Sequence, residues 1–275
     1  MGSTTSDHPV LGVIAGNGLY PKYMIEGARA AVPGIRIVMV AFVDETDLDV
    51  AALADVCEWF RVGQLSKPFG FLKKHGATDA VMVGQLAPKN LFSLRPDLKM
   101  LMMLARLPKR NAETLFGGIA DEAEKAGIHI LPANSYMNEF MPESGHIAGP
   151  KPSERQMEDA LYGISIAKEV SRLDIGQSVI VRHGTVLAVE GFEGTNECIR
   201  RGGQLGHGKE ITLAKVSKPG HDMRFDIPVV GVQTLHTCHE VGVNQIVMEA
   251  GKTILLQGAD VEELCRRYKI TLQAL

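Results

Sequence analysis

Cysteine is scarce in this 275-residue chain, and the four present, Cys57, Cys198, Cys238 and Cys265, stand far apart with no CxxC pair. That spacing excludes both a paired-thiolate zinc site and a disulfide framework, and it fits a reducing compartment. Long apolar runs are also missing: no stretch reaches the roughly 18 consecutive apolar residues that a membrane-spanning helix requires. Residues 1–8 are polar and rich in Ser and Thr, without the apolar centre of a secretory signal. Together these absences make the cytoplasm the expected compartment. Charge of one sign is not gathered anywhere. The formal net charge is −3 and no basic block occurs, so no nucleic-acid partner is expected. No internal repeat and no low-complexity tract is found.

What is there is the composition of a globular protein with an ample core, 45% hydrophobic and 22% charged. The length suits one large domain or two of about 100–150 residues. Residues 10–15 form an apolar run ending at Gly16-Asn17-Gly18, after which Pro21 opens a helix reaching residue 31. Proline is welcome there because its missing N–H has no partner in a first turn. Residues 35–42, rich in Val and Ile, form the next strand. Strand, glycine turn, helix and strand make a βαβ unit and imply a parallel sheet. Further strands are expected over 57–62, 80–83 and 128–131, with helices over 68–75 and 110–126 stopped by Gly76 and Gly127.

The fold class is therefore α/β: an N-terminal Rossmann-like parallel-sheet domain over 8–133, a linker over 134–152, and a C-terminal mixed α/β domain over 153–275. Pro132, Pro142, Pro150 and Pro152 mark the linker. Ser153 and Gln156 have capping-box spacing for a helix over 153–171. Beyond it, strands over 178–181 and 185–189 flank His183-Gly184, a hairpin turn signal. Strands over 210–217 and 228–232 and helices over 234–241 and 260–268 follow. Residues 245–249 and 253–257 are expected to form a second hairpin around Ala250-Gly251-Lys252.

Several stretches could carry chemistry. Gly16, Asn17 and Gly18 lie between a strand and a helix, where α/β proteins bind phosphates, although the spacing is not GxGxxG; the other reading is a plain tight turn. Residues 98–107, LKMLMMLARL, centre on Met102 and Met103, which suit either a groove for a greasy ligand or a well-buried helix. Glu190 and Glu193 sit three apart between glycines, followed by Thr195 and Asn196; Gln177 enters the same hairpin. Such acids can hold a hard divalent ion, or they are solvated turn residues. In His221-Asp222-Met223-Arg224-Phe225-Asp226, an extended backbone would put Asp222, Arg224 and Asp226 on one face. Paired aspartates can bind Mg²⁺ and an arginine can steady a phosphate; the alternative is a surface salt-bridge row. His236 and His239 lack the HExxH context of a zinc site, and no GxSxG elbow occurs.

IAGNGLYP at 14–21, KPSERQ at 151–156, DIGQSVIV at 174–181, AVEGFEGTN at 188–196, DMRFDIPVVG at 222–231 and EAGKTILL at 249–256 cover nearly the whole chain. Together they resemble the UDP-2,3-diacylglucosamine pyrophosphatases of alphaproteobacterial type, a family unrelated to the calcineurin-like enzyme of the same step. The resemblance implies two domains with an amphiphilic, doubly acylated sugar nucleotide between them, and dependence on Mg²⁺ or Mn²⁺. It implies hydrolysis to UMP and 2,3-diacylglucosamine 1-phosphate in lipid A biosynthesis, with water attacking the phosphorus on the sugar side. Carried onto this sequence, it makes Asp226 the essential residue, with Asp222 and Arg224 beside it. Asp226, Glu190 and Glu193 become the metal-holding acids. Gly16, Asn17, Gly18, Gln177, Thr195, Asn196, Met102 and Met103 become substrate-binding. The family loop usually reads GTD, and this chain has the amide Asn196 in its place. Peripheral contact with the cytoplasmic face of the inner membrane follows from the substrate, and the oligomeric state is left open. Two other readings stay alongside: a nucleotide-dependent oxidoreductase with a nicotinamide cofactor, and a non-catalytic module that binds sugar nucleotides or lipids.

Overall fold

The apolar run Val10–Ala15 (β1) is the central strand of a five-stranded sheet in the computed structural model, which describes residues 8–85, 96–107, 112–220, 222–225 and 227–275. It lies between Arg36–Phe42 (β2) and Asp79–Val83 (β4), with Val56–Phe60 (β3) and His129–Ile130 (β5) outside them. All pairings are parallel, in the order β3-β2-β1-β4-β5. Both faces are covered, which is why these strands read as unbroken apolar runs rather than alternating ones. Val38 and Val40 pack with Phe69 and Leu72 of helix Ser66–Lys74 and with Ala120 and Ala123 of helix Ala112–Ala126. Ile37 and Met39, pointing the other way, are also fully buried, as are Met24, Ile25 and Ala28 of helix Tyr20–Ala31.

Helix Leu98–Arg106 has Asp97 as its N-cap: one carboxylate oxygen accepts the Met100 N–H at 2.8 Å, and the other accepts those of Leu65 and Ser66, both at 3.0 Å. Burial would raise the Asp97 pKa, but these three backbone donors outweigh it and hold it below its ordinary value. Met103 faces the core, whereas Met102 is 50% exposed. The methionine stretch is thus half buried helix face and half open apolar stripe, with Leu98 and Leu101 beside Met102 on the open side.

By its internal contacts the chain divides into two units. The first holds residues 1–137 and 222–226; the second holds 138–221 and 227–275. The second contains a six-stranded mixed sheet made of Gly145–Ala148 (β6), Thr271–Ala274 (β13), Val243–Met248 (β11), Ile211–Lys215 (β9), Ser178–Arg182 (β7) and Thr185–Val189 (β8), in that spatial order. β9, β11 and β13 run parallel, and the three outer strands are antiparallel to their neighbours. Helix Glu154–Arg172 covers one face, packing Ala160 and Ala167 on Val179, Val181, Ala214 and Val247. Its start carries the capping box expected from Ser153 and Gln156, worth about 1 kcal/mol. Helices Thr195–Leu205, Val232–Glu240 and Gly258–Tyr268 cover the other face.

The His183-Gly184 turn forms as expected. Both residues have positive φ, and the Asp159 carboxylate accepts their two N–H groups at 2.8 and 2.7 Å. The hairpin expected around Gly251 does not form. β11 is flanked by β9 and β13 instead, and Ile254–Leu255 leaves the sheet to pair in parallel with Val229–Val230. A strand buried centrally on both edges has no free ladder for its own return strand. The proline-marked stretch 134–152 contains a short helix, Asn138–Phe140, and the edge strand Gly145–Ala148 of the second sheet. Among the described residues, no helix is long and apolar enough to cross a membrane.

Candidate active site

The glycine turn of the first unit sits at the carboxyl ends of β1 and β4, the crevice where doubly wound sheets place their ligands. Its backbone donors are engaged within the protein. Gly16 N–H donates to Val83 C=O at 2.8 Å, and Asn17 and Gln85 exchange two backbone hydrogen bonds at 2.7 and 3.1 Å. A Cβ on Gly16 would lie 2.5 Å from the Gln85 carbonyl oxygen, so only glycine allows this closure. Gly18, at φ +90°, completes the turn into the helix.

Residues 222–225 belong to this same unit, although they come from the second half of the sequence. They do not run extended. Phe225 N–H donates to Asp222 C=O at 3.3 Å, closing a turn, and the Arg224 N–H donates to Asp222 Oδ1 at 3.1 Å. Asp222 is thus an aspartate bonding the backbone two residues on, a preference that competes with strand formation directly after Pro219-Gly220. The expected shared face is replaced by a pair. Arg224 Nε lies 2.9 and 3.0 Å from the two Asp222 oxygens, and Nη2 donates to Oδ2 at 2.5 Å. This hydrogen bonding raises the guanidinium pKa further. The turn is anchored by Phe225, buried against Phe116 with ring centroids 5.6 Å apart, and by the Ala133 N–H donating to Met223 C=O at 2.6 Å. His221 and Asp226, the latter the residue expected to be essential, lie outside the described residues.

The second unit gathers its polar side chains where β8, β9 and β11 end and β7 begins. Register places Ser178 opposite Lys215, and Lys215 opposite Met248. Gly176 lets the loops meet: a Cβ there would lie 2.2 Å from the Glu190 carbonyl oxygen. Glu190 then accepts the Gln177 N–H at 3.3 Å on one oxygen and the Thr195 hydroxyl at 2.9 Å on the other. The same Thr195 oxygen accepts from Lys215 Nζ at 3.0 Å and lies 3.4 Å from the Ser178 hydroxyl. Lys215 is 7% exposed. Glu193 is held by the Arg201 guanidinium at 2.5 Å, which lowers its pKa, and it accepts the Gly191 N–H at 3.2 Å. Asn196 occupies the first turn of the helix that begins at Thr195.

The structure thus brings together Gln177, Glu190 and Thr195, which the sequence singled out, and adds Ser178 and Lys215, which it did not. The signal for Lys215 was present: it is the only charged residue inside the strand ITLAK. Among the described residues, no group of three or more His, Cys, Asp or Glu could hold a metal ion. Glu190 and Glu193 each turn both oxygens to protein donors, so these two acids do not form a ready-made cation cage. Thiolate chemistry is remote as well. Burial pushes the Cys198 and Cys265 thiols up to about 12, and that of Cys238 higher still.

Comparison with known proteins adds an independent line. Residues 10–140 match the LpxI N-terminal domain and residues 143–273 match the LpxI C-terminal domain. The chain is 32% identical over 256 residues to a protein of Caulobacter vibrioides named UDP-2,3-diacylglucosamine pyrophosphatase LpxI, covering 90% of each chain. Among solved structures, it resembles the biotin carboxylase subunit of pyruvate carboxylase (14% identity, 66% of this chain and 38% of that one, TM-score 0.24). It also resembles an N5-carboxyaminoimidazole synthetase from Staphylococcus aureus complexed with ADP (13% identity, 74% and 41%, TM-score 0.24). The chain spans less than half of either structure, and a likeness at that score carries no argument.

Proposed function

Since the chain belongs to the LpxI family, we propose that it is a hydrolase that splits the pyrophosphate of UDP-2,3-diacylglucosamine in lipid A biosynthesis, releasing UMP and 2,3-diacylglucosamine 1-phosphate. One observation carries the reading: the identity with the curated relative runs through 90% of both chains, so both domains are represented in it. The nicotinamide alternative draws no support from the glycine turn, whose Gly16 and Asn17 N–H groups already have carbonyl partners.

The reaction places dense negative charge where a nucleophile must approach, and catalysis of such transfers rests on positioning and charge stabilisation. In this reading Lys215 supplies positive charge at the strand ends, with Thr195 and Ser178 as hydroxyl donors and Glu190 fixing Thr195. Arg224, set by Asp222, offers a second cation. Asp226 orients or deprotonates the attacking water, which adds to the phosphorus on the sugar side as the UMP oxygen leaves. Dependence on Mg²⁺ or Mn²⁺ belongs to the same proposal, since a divalent ion would neutralise the diphosphate charge. The exposed stripe Leu98, Leu101 and Met102 supports peripheral contact with acyl chains or a membrane surface.

The test is release of UMP from UDP-2,3-diacylglucosamine in water enriched in ¹⁸O, with Mg²⁺ and with EDTA. The reading expects UMP only with the metal, and the label in the sugar phosphate. Substrate that binds and stays intact with every divalent ion would leave the non-catalytic module as the better account.

A further inference from the structure

We propose that a cleft of about 740 Å³ on the first unit, lined by Leu19, Lys22, Thr46, Asp47, Leu48 and Leu53 among others, is the subsite for the nucleoside half of a uridine nucleotide. The inference rests on the hydrolase reading, and it assigns a place to the part of the substrate that does not react.

The first argument is position. Leu19 and Lys22 belong to the first turn after the glycine loop that follows β1, and residues 46–53 follow β2. The cleft therefore opens at the carboxyl ends of two adjacent parallel strands. In a sheet ordered 3-2-1-4-5, the loop after the second strand is where a carboxylate meets a ribose diol. The wall is rigid. Thr46 is buried, donates its hydroxyl to Ala15 C=O at 2.5 Å, and accepts the Phe42 N–H at 2.9 Å, so the loop after β2 is tied to the end of β1.

The second argument is the chemistry of the lining. Leu48 is 76% exposed and Leu19 39%, two large aliphatic side chains left open on the same cleft. A flat pyrimidine laid on them would remove that apolar surface from water. Asp47 stands at the N-cap of helix Leu48–Ala51, yet its side chain makes no capping hydrogen bond. Aspartate at an N-cap ordinarily accepts from the helix N–H groups. Here the carboxylate lines the cleft instead, and two oxygens can accept both hydroxyls of a ribose. Lys22 has only a loose, exposed ion pair with Glu26, at 3.9 Å, and such a pair yields readily to a phosphate.

The third argument separates this ligand from a dinucleotide. A dinucleotide would place its pyrophosphate on the amides of the glycine turn, and those of Gly16 and Asn17 are engaged with Val83 and Gln85. The cleft is suited to a nucleoside whose diphosphate leads away from the turn.

The test uses the full chain, with uridine 5′-monophosphate and its 2′,3′-dideoxy analogue as probes in titration calorimetry. Leu48 and Asp47 are exposed, so Leu48→Asp and Asp47→Asn should fold normally, checked by an unchanged thermal midpoint. Expected results are that Leu48→Asp weakens both probes, and that Asp47→Asn weakens the ribose nucleotide about tenfold while leaving the dideoxy analogue unchanged. Equal affinity of wild type and Asp47→Asn for the ribose nucleotide overturns the subsite, as does an equal loss on both probes. Turnover of the acylated substrate by wild type is scored separately: turnover with no diol-specific effect refutes the subsite and leaves the hydrolase standing. A diol-specific effect without turnover supports the subsite and removes the hydrolase reading.

Discussion

Glu249 and Lys168 hold the peptide of Ser217 from both sides. Glu249 Oε2 accepts the Ser217 N–H at 3.0 Å, Lys168 Nζ donates to the Ser217 C=O at 3.0 Å, and the two side chains pair with each other. Lys252 adds a contact to the other carboxylate oxygen at 3.0 Å. Ser217 lies just past the end of β9, where the chain sets out toward residues 222–225. The pair therefore fixes the point from which the Asp222–Arg224 turn departs.

Breaking a buried pair leaves an uncompensated charge, at a cost of about 3–5 kcal/mol; Lys168 is one-quarter exposed, so about 2 kcal/mol is expected here. Glu249→Gln and Lys168→Met should each lower the urea midpoint accordingly, and the double variant should lose less than the sum. The pair is also acid-sensitive. Burial raises the Glu249 pKa, but the hydrogen bonds from Lys168, Lys252 and Ser217 outweigh burial and hold it below its ordinary value. Its stabilisation is then full above the unfolded carboxylate pKa of about 4.3 and is lost as the pH falls through the lower folded value. The stability gap between wild type and Glu249→Gln should shrink below about pH 4 in urea titrations. A gap unchanged down to pH 3 would show that the carboxylate charge is not what holds Ser217.

Thr195 stands between Lys215 and Glu190, so those two should not act independently. Lys215→Met and Glu190→Gln are each expected to lower kcat, and Thr195→Val should uncouple them: in its background the two effects become additive. Each lost hydrogen bond to a charged group is worth about 1.5–3 kcal/mol, roughly 10- to 150-fold in rate. Kinetics of the single and double variants decide the matter, and strict additivity with Thr195 intact would refute the linkage.

How far these features are legible in the sequence depends on which forces are local. β1 is legible because a strand covered on both faces must be apolar throughout, and VLGVIA is. The capping box at Ser153 and Gln156 and the turn at His183-Gly184 are legible because their chemistry lies within four residues. The Asp222–Arg224 turn is not. What fixes it is Phe225 burying itself against Phe116, more than a hundred positions earlier, and no periodicity encodes that partner. Gly251 fails for a related reason: the partners of β11 are set by burial in the centre of a sheet rather than by the nearest turn.

Asp226 and Asp222 invite contrasting substitutions. Asp226→Ala should abolish UMP release with the fold intact, and normal turnover in that variant would remove it from the mechanism. Asp222→Asn keeps the backbone turn but weakens the bidentate hold on Arg224. It should raise KM for the diphosphate substrate more than it lowers kcat. Steady-state kinetics with the two parameters resolved gives the answer, and an unchanged KM would mean that Arg224 does not meet the substrate.

Met102 and Met103 are adjacent in sequence and opposite in environment, which makes them a sensitive pair for the acyl-chain proposal. Met103 is 6% exposed and touches the helix that carries Gly118, whose added Cβ would come within 3.1 Å of the Met103 sulfur. Met103→Ala should cost about 2–4 kcal/mol of stability, as large-to-small core substitutions do. Met102→Ala should cost under about 0.5 kcal/mol, as surface changes usually do. Introducing charge on the open stripe, with Leu101→Glu and Met102→Glu, should leave the thermal midpoint in place. It should weaken sedimentation with anionic phospholipid vesicles and raise KM for the doubly acylated substrate, while a deacylated analogue is handled as by wild type. If the acylated and deacylated substrates respond alike, the stripe has no part in lipid contact. Its exposed leucines would then have to be explained by something other than the substrate.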